Sequence, residues 1–126
     1  MTNPKTGRIR FSVVIATYNA EKTLEACLDS LRGQTFRDFE ILVADGASTD
    51  RTLEILRSRA SEISIFVSEK DRGIYDAWNK VIPRASGEWL IFLGADDELF
   101  DEKVFERVAA ALLNVSEKVV YGKVAI

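Results

Sequence analysis

The sequence contains no histidine, one cysteine and one methionine. Without imidazole, Ser-His-Asp and Cys-His nucleophile systems, histidine-ligated zinc and imidazole acid–base chemistry are all excluded, and any chemistry must run on carboxylates. The lone Cys27 can form neither an intrachain disulfide nor a thiolate metal site. It falls with Leu24, Leu28 and Leu31 at helical spacing and reads as a buried structural thiol. Glycine numbers seven, with no G-x-G-x-x-G and no Walker-type loop, so glycine-rich backbone cannot be the means of holding a phosphate. Long apolar runs are missing too: the longest, Trp89 to Ala95, falls far short of the roughly 20 residues that cross a bilayer. Met1 to Arg10 is polar, with no apolar stretch before a cleavage site; residues 1–10 read as a flexible tail, and the cytoplasm is the expected location. Asn114-Val115-Ser116 matches the glycosylation sequon but has no secretory context. Basic excess is absent as well. A net charge of -3, with no cluster of basic residues interleaved with aromatics, argues against a nucleic-acid surface.

What is present describes one globular domain over residues 11–126, with 47% hydrophobic and 29% charged residues in a chain of 126. A domain of this size buries about 65% of the surface its unfolded chain exposes, enough for a core without staples. Phe11 to Ala16 (FSVVIA) is a continuous, β-branched apolar run, the pattern of a strand covered on both faces. Leu24, Cys27, Leu28 and Leu31 then follow a helical period that Gly33 closes. The alternation repeats. Phe39 to Ala44 is a second strand, and Ser48 or Thr49 is placed to cap a helix carrying Leu53, Leu56 and Ala60 inward. Ile63 to Val67 is a third strand, and Ile74, Ala77, Trp78, Val81 and Ile82 form a helical face that Pro83 interrupts. Glu88 to Leu93 is a fourth strand, Asp101 opens a helix with Val104, Phe105, Val108 and Leu112 inward, and Val119 to Ile126 begins a further extended segment. Alternating strands and helices predict an α/β domain: an open, mostly parallel sheet with helices on both faces and right-handed crossovers.

In such sheets ligands bind beyond the carboxyl ends of the strands, where strand order reverses. Three loops there are polar: Thr17-Tyr18-Asn19, Asp45-Gly46-Ala47-Ser48-Thr49-Asp50 and Gly94-Ala95-Asp96-Asp97-Glu98. A strand order of 3-2-1-4 would bring Tyr18 and Asp45 close to the Asp96-Asp97 pair. Adjacent carboxylates at the end of an apolar strand repel each other unless a cation or donor stabilises them, and oxygen-only ligands select Mg2+ or Mn2+. The plain alternative is an acidic turn that caps the Asp101 helix. Tyr18 is either a core residue or a stacking face for a base.

Taken together, the segments VVIATYNAEKTLEACLDSLRGQTFRDFEILVADGASTDRTLEIL, SEKDRGIYDAWNK and GEWLIFLGADDELF resemble the nucleotide-sugar-binding part of a glycosyltransferase family 2 enzyme with the Rossmann-like GT-A fold, from Phe11 to about Phe105. The resemblance implies a metal-dependent, inverting transfer of a sugar, of hexosyltransferase type, from a nucleoside diphosphate sugar to a hydroxyl of a sugar or lipid-linked acceptor, as in cell-envelope polysaccharide synthesis. Tyr18 then matches an aromatic contact to the base, between Thr17 and Asn19, and Asp45 an acid that contacts the base. Asp96 matches a residue near the ribose, and Asp97 the ligand of Mn2+ or Mg2+ on the diphosphate. Asp71 and Arg72 border the donor pocket, with Asp76 and Asn79 as weaker candidates. Gly46 stands where many relatives carry a second acid, and Val81 replaces a glycine. The family's acceptor-binding half, with its general base, is expected beyond Ile126, and the longer protein would sit at the membrane periphery. A non-catalytic nucleotide-sugar-binding module is the alternative, and a second copy pairing along an open sheet edge is a further expectation. A pyrophosphorylase would need a glycine-rich basic loop after the first strand, where ATYNAEK stands, and a phosphoacceptor receiver would place its acid pair there rather than after the fourth.

Overall fold

The computed structural model describes residues 10–113. The expected tail, apart from Arg10, and the extended segment at Val119 to Ile126 lie outside the described residues. The elements run β1 (Phe11–Thr17), α1 (Leu24–Arg32), β2 (Phe39–Asp45), α2 (Thr52–Ser58), β3 (Ile65–Ser68), α3 (Ile74–Val81), β4 (Trp89–Gly94) and α4 (Val104–Leu112). The sheet is wholly parallel with the order β3-β2-β1-β4, the reversal falling between β1 and β4.

Side chains alternate between the faces of a strand, and the two faces are packed unequally. Phe11, Val13, Ile15, Ile41, Val43, Trp89 and Leu93 share one core with Leu24, Cys27, Leu28 and Leu31 of α1, Ile55 and Leu56 of α2, and Phe105 and Leu112 of α4. Phe105 anchors this side edge-on to Phe11 and Phe39, with ring centroids 5.3 and 5.2 Å apart. Burial of one such ring contributes roughly 1.5–3 kcal/mol. Among the described residues, the opposite core, Val14, Leu42 and Ala44 against Ala77 and Val81, is covered by α3 and by Ile82 and Ala85 of the turn that follows it. Trp78 of α3 packs at its margin, 4.3 Å from the ring of Phe92 and 5.3 Å from that of Tyr75. Helices on both faces of a parallel sheet are therefore observed, and the fold is that of the GT-A class.

Local details differ from expectation for identifiable reasons. Neither Ser48 nor Thr49 caps α2; the Thr52 N–H donates to Asp50 Oδ1 at 2.8 Å, and Ser48 is drawn into the site. Ala60 does not face the core, because the helix tightens into a 3₁₀ turn at Ala60–Glu62, and Ile55 takes the inward position. Ile74 is 49% exposed at the first turn of α3. The Asp101 helix begins three residues on, with Asp101 Oδ1 accepting from the Lys103 N–H at 2.8 Å. Cys27 is buried as expected. Burial pushes its thiol up to about 12, and the charges of Asp97, Asp96 and Glu98 push the same way.

The amino end of the sheet is closed by a buried polar knot. Glu40 Oε2 accepts from the Ser12 hydroxyl and the Ser86 N–H, both at 2.6 Å, with Arg10 Nη2 3.9 Å from Oε1. Burial alone would raise the Glu40 carboxyl, but the Ser12 and Ser86 hydrogen bonds and the Arg10 charge hold it below its ordinary value. Gly87 N–H completes the knot by donating to Ser12 Oγ at 2.8 Å.

Candidate functional site

The register brings the carboxyl ends of all four strands level: Thr17 lies beside Asp45, Asp45 beside Ser68, and Ala16 beside Gly94. At the centre Asp45 is only 2% exposed. Its Oδ1 accepts from the hydroxyls of Thr17 and Ser48, each at 2.6 Å, and its Oδ2 from the Ser48 N–H at 2.8 Å and the Ser68 hydroxyl at 2.9 Å. Four donors thus occupy one carboxylate, the condition under which a buried charge is tolerated without a cation. The ladder runs on into the loops, with Gly46 N–H donating to Thr17 O and Glu69 N–H to Asp45 O, both at 2.9 Å.

Asn19 ties the β1 loop to the β2 loop. Its backbone adopts φ 46°, a left-handed conformation that asparagine tolerates. Its Oδ1 accepts from the N–H groups of Thr49 and Asp50, and its own N–H donates to Ser48 Oγ at 2.9 Å. Ala47, at φ 61°, turns the β2 loop outward between these fastenings. Tyr18 between them is 64% exposed. A cleft of about 290 Å³ opens beside it, lined by Tyr18, Gly46, Ala47, Lys70 and Asp71.

Asp71 enters this cleft from the β3–α3 loop. Its Oδ1 accepts from the Gly73 N–H at 3.0 Å, and its Oδ2 lies 2.6 Å from the point that a Cβ on residue 46 would occupy. Only glycine at 46 leaves room for that carboxylate as it stands. Arg72 is exposed, and its N–H donates to Asp76 Oδ2 at 2.9 Å. Asp76 Oδ2 also lies 3.7 Å from Lys80 Nζ, so Asp76 fastens the start of α3; Asn79 is exposed on the same helix.

On the other side of β1 stands the acid pair. Gly94 N–H donates to Asp97 Oδ2 at 3.0 Å, and Asp97 N–H donates to Gly94 O at 3.0 Å, which folds the loop into a tight turn. Asp96 is exposed and Asp97 half-buried. Asp96 Oδ1 and Asp97 Oδ2 each lie 2.8 Å from the point a Cβ on Gly94 would fill, so the two carboxylates converge over a space that glycine keeps open. Cys27 Sγ supports this turn from below, 3.6 Å from Gly94 O. Among the described residues no group of three or more acids or cysteines surrounds this point.

The structure therefore gathers Thr17, Tyr18, Asn19, Asp45 and Asp71 around or beneath one cleft and sets Asp96 and Asp97 one strand away. Gly46 and Ala47 of the expected β2 loop line the cleft, and Lys70 and Ser68 join the site without having been expected there. A serine at the end of a strand beside an aspartate was the available signal for Ser68. Nothing in the local sequence marks Lys70.

An open parallel sheet with a polar cleft and an acid pair in the loops at its switch point is an α/β domain of the GT-A class. The chain belongs to glycosyl transferase family 2, whose model matches residues 12–126. It is 43% identical over 118 residues, 90% of this chain, to a PGL/p-HBAD biosynthesis glycosyltransferase of Mycobacterium bovis, and spans 46% of that protein, about half its length. Among solved structures it is similar to Staphylococcus aureus TarS 1-349 in complex with UDP-GlcNAc, with TM-score 0.75 and 30% identity over 82% of this chain and 31% of the other. It is also similar to the mannosyltransferase PcManGT of Pyrobaculum calidifontis in complex with GDP-Man and Mn2+, with TM-score 0.73 and 28% identity over 84% of this chain and 32% of that one. No helix among the described residues is long and apolar enough to cross a membrane.

Proposed function

We propose that this chain forms the donor-binding part of a metal-dependent, inverting glycosyltransferase that takes a nucleoside diphosphate sugar. The observation that carries this reading is the convergence of Asp96 and Asp97 over Gly94, one strand from the cleft beneath Tyr18. Tyr18 offers its exposed ring to the base, and Asp45 holds the β1, β2 and β3 ends together beneath the cleft. Two hard oxygen donors over an open space fit a divalent ion that keeps several waters and diphosphate oxygens in its coordination, and Asp96 and Asp97 are the residues that would hold it. Bound there, Mn2+ or Mg2+ supplies neutralising charge to the diphosphate leaving group. In the transfer, the acceptor hydroxyl oxygen bonds to the anomeric carbon as the bond to the diphosphate breaks, and a carboxylate base takes the hydroxyl proton. Support comes from family membership and from similar structures that hold UDP-GlcNAc or GDP-Man with Mn2+.

Isothermal titration with nucleoside diphosphates and Mn2+ tests the donor site. The chain is expected to bind, and Asp97→Ala is expected to weaken the Mn2+-dependent component about tenfold or more, the scale of losing a charged ligand. Binding that is absent in the wild type, or unchanged in Asp97→Ala, would sink the reading. A product-forming assay with sugar and lipid-linked acceptors separates a transferase from a binding module, which would bind donor without turnover.

A further inference from the structure

The acid pair rides on a loop that α1 holds from end to end. Between β4 and α4, Ala95 and Leu99 are buried in the core that α1 shares, and Asp96, Asp97 and Glu98 stand between these two anchors. One face of α1 and the residues just after it supply further ties. Cys27 Sγ lies 3.6 Å from Gly94 O at the start of the loop, and Ser30 Oγ accepts from the Leu99 N–H at 3.1 Å. Gln34 Nε2 donates to Asp101 O at 2.7 Å, Gln34 Oε1 accepts from the Phe105 N–H at 3.0 Å, and the Thr35 N–H donates to Glu102 O at 2.8 Å. Gln34 is buried, and its Nε2 also donates to Ser30 O at 3.1 Å, so the amide uses both its hydrogens and its oxygen. A carboxylate would lack the donors, and an aliphatic side chain would lack both functions.

These ties matter because the loop carries adjacent carboxylates. Asp96 Oδ1 and Asp97 Oδ2 each lie 2.8 Å from one point over Gly94, and like charges so placed drive each other apart. Within the turn itself, two hydrogen bonds between residues 94 and 97 oppose that. Ser30 and Gln34 add restraint from outside, and both act on the backbone of the loop rather than on the carboxylates. We infer that Ser30 and Gln34 are positioning residues for the acid pair: α1 sets the backbone that carries Asp96 and Asp97, so the turn stands formed without an ion and only the carboxylate tips adjust. This inference rests on the donor-site reading above.

Amide hydrogen exchange without any divalent ion reads the turn directly. In the wild-type chain the Leu99 N–H is expected to be protected to within about threefold of its protection with Mg2+ and UDP, and Ser30→Ala is expected to lower that protection about tenfold while the amides of β1 keep theirs. Gln34→Glu tests the other tie, since it keeps the acceptor for the Phe105 N–H and loses both donors. In titrations with Mn2+ and either UDP or GDP, both variants are expected to weaken the Mn2+-dependent component about tenfold, the scale of losing a group that orients a metal ligand. Protection of Leu99 that appears only with Mg2+ present, or a Mn2+-dependent component unchanged in either variant, would overturn the role of α1 and leave the donor site standing. Loss of β1 protection along with that of Leu99 would do the same, as the mark of a purely structural part. A wild-type chain that binds no Mn2+ with either diphosphate would overturn the donor-site reading, and this inference with it.

Discussion

The β1–β2 pair carries a buried carboxylate at each end, and the two ends hold theirs in different ways. At the amino end Glu40 is held by Ser12, the Ser86 N–H and Arg10, and the neighbouring Gly87 faces a wall of backbone: a Cβ there would sit 2.7 Å from the Phe11 carbonyl carbon and the Ser12 nitrogen. At the carboxyl end Asp45 meets no cation among the described residues, and four neutral donors from the ends of β1 and β3 and from the β2 loop surround it. The glycines there, Gly46 and Gly94, face the tips of aspartate side chains, which can swing aside. One end is a closed clasp, whereas the other is a set of loops fastened to each other around groups that keep some freedom. The same strands therefore provide a rigid base and an adaptable rim.

Four substitutions break or sharpen this contrast. The largest effect is expected from Asp45→Asn, which leaves a buried backbone N–H and hydroxyls facing an amide. A loss of about 3 kcal/mol in urea unfolding is expected, at the upper end for unsatisfied buried donors, and a near-neutral result would show that Asp45 does not fasten the loops. Next comes the glycine pair. Gly87→Ala meets backbone and is expected to cost about 2 kcal/mol, whereas Gly94→Ala is expected to cost below about 1 kcal/mol because only carboxylate tips must move. Equal losses would erase the difference between the ends.

A smaller effect than that of Gly87→Ala is expected from Glu40→Gln, about 1 kcal/mol at neutral pH, since Arg10 keeps Asp38 at 3.0 Å. Its signature lies in the pH dependence. A carboxyl held below its unfolded value adds stability that is complete above about pH 4.3 and fades as the pH falls through the lower folded-state value. The acid limb of the wild-type stability curve should therefore flatten in Glu40→Gln. An unaltered limb would mean that Glu40 is not bound as described.

The strands were legible because each is a short apolar run bounded by polar loops, and each was placed within one or two residues of where it lies. The observed order β3-β2-β1-β4 matches the order that the sequence reading took as a condition, that of a doubly wound sheet. Helix starts were harder: Asp50 and Asp101 accept from N–H groups two residues on, so their side chains, rather than the first apolar residue, decide where the chain turns. Short helices also sample too few turns for periodicity to separate Ile55 from Ala60 as the buried residue.

At the site, the polar loops announced themselves by composition, and Tyr18, Asn19, Asp45 and Asp71 all reach the cleft or its underside. Their division of labour was not legible. That Asp45 is saturated, while Asp71 Oδ2 meets no hydrogen-bond donor among the described residues, depends on hydroxyls of Thr17, Ser48 and Ser68 brought together by the strand register. The place of Asp71 over Gly46 joins residues from two loops that no local pattern connects.

The unequal packing of the sheet has an optical consequence. The two tryptophans stand on opposite faces: Trp89, 8% exposed, lies in the core under α1, α2 and α4, and Trp78 lies at the margin of the α3 core, its ring against Phe92 and its buried Nε1–H without a hydrogen-bond partner among the described residues. Each fluorophore therefore watches one face, and single-tryptophan variants can follow the two sides of the sheet as they melt. In a cooperative domain the two emission curves coincide; a face that loosens first would shift its own tryptophan's spectrum while the other stays silent.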